Sequence, residues 1–162
     1  MTAVVPAIRD GRDLLDHDTA LFDRLAQAVA REHNVSIDYA ERVVDQALAF
    51  LATAATTPGD PLGPSAVVDW GWHAFILETH AYADFCERIA TRFLHHVPDG
   101  AGGASAEPGE RTRRTVAAIT AAGYRVDHEL WMETGDCGPC HEEGNCHASG
   151  ADGNENTETR RK

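Results

Sequence analysis

Between Asp18 and Ala55 the apolar residues return every three or four positions, and this spacing constrains the chain more than any other feature. Leu21, Leu25, Ala28 and Val29 fall on one face of a helix predicted from about Asp18 to His33, with Asp16 or Asp18 as its cap and Asn34 as its stop. Ser36 is placed to cap a second helix, about Ile37 to Ala55. Asp38 and Glu41 lie near its start, where carboxylates complement the helix dipole, and Val43, Val44, Ala47, Leu48 and Leu51 form its apolar stripe. The stretch Thr56 to Pro64 holds three prolines and two glycines and must be a loop.

A third helix is predicted from near Ser65 through Val67, Val68, Trp72, Phe75, Ile76 and Leu77. Thr79 is placed to cap a fourth, about His80 to Leu94, which ends at His95-His96-Val97-Pro98 because a proline disfavours helical geometry in the residue before it. Asp99 to Gly109 reads as a linker, and a fifth helix is expected over about Glu110 to Ala122 with Gly123 as a left-handed cap. Tyr124 to Trp131 reads as a strand-like or short helical piece docking back on the core. From Glu133 onward the sequence is polar and glycine-rich, without the apolar periodicity that would offset its ordering entropy.

The expected fold is therefore all-α: an irregular antiparallel bundle of four to five helices with a disordered Cys/His-rich C-terminal tail. Its divisions are an irregular N-terminal segment over 1–15, a helical domain over 16–131, and a flexible Cys/His-rich acidic tail over 132–162.

The formal net charge of −12 repels phosphate backbones, so no nucleic-acid partner is expected. No apolar run is long enough to cross a bilayer, and the opening residues lack the basic region of an export signal, so no membrane partner and a cytoplasmic setting are expected. In a reducing compartment a local cysteine cluster signals metal or redox chemistry more often than disulfides. Three of the four cysteines lie between Cys137 and Cys146.

The densest chemistry lies between Asp69 and Pro98. On a helix Asp69 and His73 are i and i+4 and share a face. The carboxylate can accept a hydrogen bond from one imidazole nitrogen and leave the other free to bind a metal or move a proton. A short turn after the third helix would bring Cys86, and one of His95 and His96, toward His73 from the following helix. The competing reading is a structural lock, in which the Asp–His pair is packing furniture and Cys86 behaves as a small hydrophobe.

The pattern Asp69-x-x-Trp72-His73-x-x-Ile76-Leu77-x-Thr79-x-x-Tyr82-x-x-Phe85-Cys86, with His95-His96-x-Pro98 downstream, resembles the core signature of the glycine-rich domain-containing protein-like family. The resemblance extends over about residues 15–131, with its specificity between Asp69 and Pro98. It implies a compact helical domain in a family of mostly unassigned activity, of the short actinobacterial type. The glycine-rich and RNA-binding regions of longer plant relatives have no counterpart here.

In the tail, Cys137-Gly138-Pro139-Cys140-His141 carries the two-residue gap with which two thiolates reach one tetrahedral zinc. Cys146, His141 or His147 would complete the set. The same residues match a thioredoxin-like redox motif and a haem-attachment motif, but the strand-to-helix context of the first and the export signal of the second are lacking.

The sequence thus points to a metal-binding protein taking zinc or iron, with a metalloenzyme as one form of that reading. One candidate site comprises Asp69, His73, Cys86 and His96, and the other Cys137, Cys140, Cys146 and His141. If there is catalysis, His73 is the general base or metal ligand. Two other classes stay open: a non-catalytic interaction module with a protein partner, and a precursor whose Cys-rich tail is modified by a partner enzyme. No serine-nucleophile, phosphate-loop or dinucleotide motif is present to support hydrolase-triad, nucleotide or hydride chemistry.

Overall fold

A computed structural model describes residues 7–97 and 109–132. The fold is all-α: a 3-10 turn over Gly11–Leu15, then α1 (Thr19–His33), α2 (Ile37–Thr56), α3 (Ala66–Leu77), α4 (Thr79–Ala90), α5 (Glu110–Ala121) and the four-residue α6 (His128–Trp131). The count exceeds the four to five helices expected, because the docking piece after Tyr124 closes as α6. Within the segment expected to be irregular, Gly11–Leu15 winds into the 3-10 turn. Among the described residues no helix is long and apolar enough to cross a membrane.

Three helix starts follow from side-chain caps. Asp18 accepts from the Leu21 N–H, Ser36 from the Tyr39 N–H, and Ser65 from the Val68 N–H, each satisfying a backbone donor that the first turn leaves without a partner. Asn34 ends α1 in the left-handed region at φ 54°, a conformation asparagine tolerates better than most residues.

The core gathers around α2. Its residues from Gln46 to Thr53 are buried on every side, as suits a helix enclosed by α1, α3, α4, α5 and the 3-10 turn. Close approach to α3 depends on Gly71, where an added Cβ would lie 2.7 Å from the Ala47 Cβ and 3.1 Å from the Val43 carbonyl oxygen. The glycine costs helix propensity, and close packing of α3 on α2 offsets that cost.

Gln46 is buried yet fully paired. Its amide nitrogen donates to the Arg125 carbonyl (3.0 Å) and the Asp45 carboxylate (3.2 Å), and its oxygen accepts from the Asp127 N–H (3.0 Å) and the Trp131 indole (2.8 Å). These bonds clamp the segment around α6 onto α2. Arg42 adds a two-pronged pair to Asp127 at 2.6 and 3.0 Å.

The largest departure from expectation is the end of α4. The helix stops at Ala90, not Leu94, and Thr91 takes a left-handed conformation at φ 52°. Residues 91–97 then run as a strap in which Leu94 is buried and Phe93, His95 and Val97 are exposed. The buried Tyr82 hydroxyl donates to the Leu94 carbonyl at 2.6 Å and so ties the strap to α4.

Candidate metal centre

Asp69 and His73 stand one helical turn apart on α3, and the strap brings His96 across to them. Asp69 Oδ1 lies 2.7 Å from His96 Nε2, Asp69 Oδ2 lies 3.2 Å from His73 Nε2, and the two Nε2 atoms are 3.1 Å apart. Three side chains, two from α3 and one from the strap, therefore face one small volume, and this is the group among the described residues with the composition and spacing to hold a metal ion. Donors bonded to a tetrahedral zinc at about 2.0–2.1 Å would sit roughly 3.3 Å from one another, so small outward adjustments admit an ion.

The setting is graded from inside to outside. The His96 and Asp69 side chains are 20% and 27% exposed, whereas that of His73 is 58% exposed. The Trp72 ring lies against His96 with centroids 4.4 Å apart, and His73 meets His96 edge-on at 4.6 Å. Trp72 is held by its indole N–H, which donates to the Tyr82 hydroxyl at 2.8 Å, and that hydroxyl donates onward to the Leu94 carbonyl. Burial, opposed by the Trp72 hydrogen bond, pushes the Tyr82 phenol above its ordinary range, so it remains a neutral donor. One chain of hydrogen bonds thus fixes both the ring packed on His96 and the backbone two residues before it.

Of the residues singled out from sequence, Asp69, His73 and His96 come together. Cys86 does not join them: it is buried in the core beside Tyr82, as expected of a small apolar side chain. His95 turns toward Phe93 (centroids 4.9 Å), and His80 is exposed at the start of α4. Cys137, Cys140, His141, Cys146 and His147 lie outside the described residues. Sequence reasoning passed over Trp72 and Tyr82 as packing only, since a buried aromatic gives no sign of what its polar tip will meet. It passed over Glu32 as well, which lies on α1 and lines an open groove of about 190 Å³ together with His73, Ile76 and Leu77.

A family model described as UCP032817-like matches residues 15–122. No curated protein matches, and no solved structure matches. The family match corrects the resemblance to glycine-rich domain-containing proteins. That resemblance rested on a short stretch in which Trp72, Tyr82, Phe85 and Cys86 are core residues. A pattern dominated by helix-pair packing reports how two helices meet, not which lineage they come from.

Proposed function

The chain belongs to the UCP032817-like family, and we propose that its helical domain binds a divalent transition-metal ion through Asp69, His73 and His96. The observation that carries this reading is the convergence of two Nε2 atoms and one carboxylate within 3.2 Å of one another. With each ring carrying its hydrogen on Nδ1, two Nε2 lone pairs and a carboxylate face one another, and a cation at the common focus would relieve that repulsion. Two histidines and one carboxylate suit zinc or ferrous iron, and three protein ligands leave a coordination position open, as in sites where a metal activates water or substrate. When bound, the ion would supply a Lewis acid. Asp69 would offset part of its charge, and His96, the least exposed of the three ligands, would be the most rigid.

A second reading has its own support. Each oxygen of Asp69 faces a different imidazole, so with hydrogens on both Nε2 atoms the group forms a carboxylate lock that ties the strap to α3 without any ion. The domain would then be an interaction module.

Metal analysis of the untagged 162-residue protein separates the two. Metal binding predicts about one zinc or iron per chain at the helical centre, lost on His73→Ala or His96→Ala and retained on Cys140→Ser. Metal-free protein that stays metal-free when zinc is added, or metal lost only on Cys140→Ser, would contradict it.

A further inference from the structure

The geometry points to the groove beside His73 as the subsite for an exogenous ligand of this centre: a small, uncharged donor molecule bearing a short aliphatic chain. The inference rests on the metal-binding reading and extends it to what the open coordination position takes. His96 and Asp69 form the inner side of the group, so the side facing solvent is that of His73, and His73 also lines the groove. A ligand completing the coordination from solvent would therefore extend into that groove.

The walls decide what it accepts. Ile76 and Leu77 stand three and four residues after His73 on α3, on the same helix face, and Leu77 is 78% exposed. A single exposed leucine is ordinary on a protein surface. One that shares a groove with His73 offers apolar area that a bound aliphatic chain would cover. The groove is also lined by Glu32 from α1. The Glu32 and Asp69 carboxylates together balance a dication, leaving no local excess charge to draw in an anion, and the chain's net charge of −12 repels anions at longer range. A neutral donor head with a short hydrocarbon tail fits all three features.

The test uses the full-length chain carrying Cys137→Ser, Cys140→Ser and Cys146→Ser, loaded with cobalt(II), so that no thiolate of the C-terminal segment competes for the ion. Imidazole, 4-butylimidazole, acetate and pentanoate are titrated against the visible cobalt spectrum. We expect 4-butylimidazole to bind on the order of tenfold more tightly than imidazole, the fraction of four-methylene burial that an open groove provides. Leu77→Ala should shrink that ratio toward one, and Glu32→Gln should raise the affinity for both carboxylates. Equal affinity for the two imidazoles in a protein with a clear cobalt spectrum, or a preference for carboxylates, would overturn the inference and leave the metal site standing. Failure to acquire a cobalt spectrum would instead remove the metal site, and the subsite with it.

Discussion

At the scale of single residues, the centre depends on a group that never touches it. The Tyr82 hydroxyl holds Trp72 against His96 and holds the Leu94 carbonyl that sets the strap, so Tyr82 positions His96 from two directions. Tyr82→Phe leaves a buried indole N–H and a buried carbonyl without a partner. The expected cost is about 1–3 kcal/mol of stability, with zinc affinity falling roughly 10–100-fold as is usual when support behind a ligand is removed. Gln46→Leu is the control, because it breaks a buried hydrogen-bond network between α2 and the α6 segment and touches none of the three proposed ligands. Denaturant unfolding and zinc titration of both variants make the comparison. If both lose stability but neither loses zinc affinity, Tyr82 is a structural residue only.

At the scale of elements, most of the architecture could be read in advance, and the misses have physical causes. Asp18, Ser36 and Ser65 announce their helices because a short oxygen-bearing side chain before an apolar run satisfies free N–H groups wherever the helix later packs. The end of α4 was not legible. Nothing in the local sequence marks Thr91 as the left-handed stop, and the strap beyond it is held by a tertiary hydrogen bond from Tyr82. His96 in the site follows from that same break, so its partnership with Asp69 was foreseeable as one of two histidines but not as a geometry. Asp69 with His73 was legible outright, being a helix-spacing pair.

Gly71 belongs to this scale too. It reads in sequence as a weak point within a helix, and in the fold it is the contact that lets α3 approach α2. Gly71→Ala should destabilise the domain by about 1–3 kcal/mol through overpacking, despite alanine's better helix propensity, as measured by urea unfolding. A stabilised variant would show that the two helices have room to part.

At the scale of the whole molecule, one central helix sheathed by its neighbours provides a rigid platform, and the strap completes the centre at its edge. Composition anticipated such a core but not where the polar groups would converge, because the three proposed ligands belong to two segments whose meeting depends on the turn at Thr91. The family assignment adds lineage and no chemistry, so the centre has to be tested directly. Crystals of the protein grown with zinc, with diffraction data collected on either side of the zinc absorption edge, provide that test. The account predicts an anomalous peak within about 2.0–2.2 Å of His73 Nε2, His96 Nε2 and an Asp69 carboxylate oxygen. A map without density among these three side chains, their hydrogen bonds unchanged at saturating zinc, would contradict it.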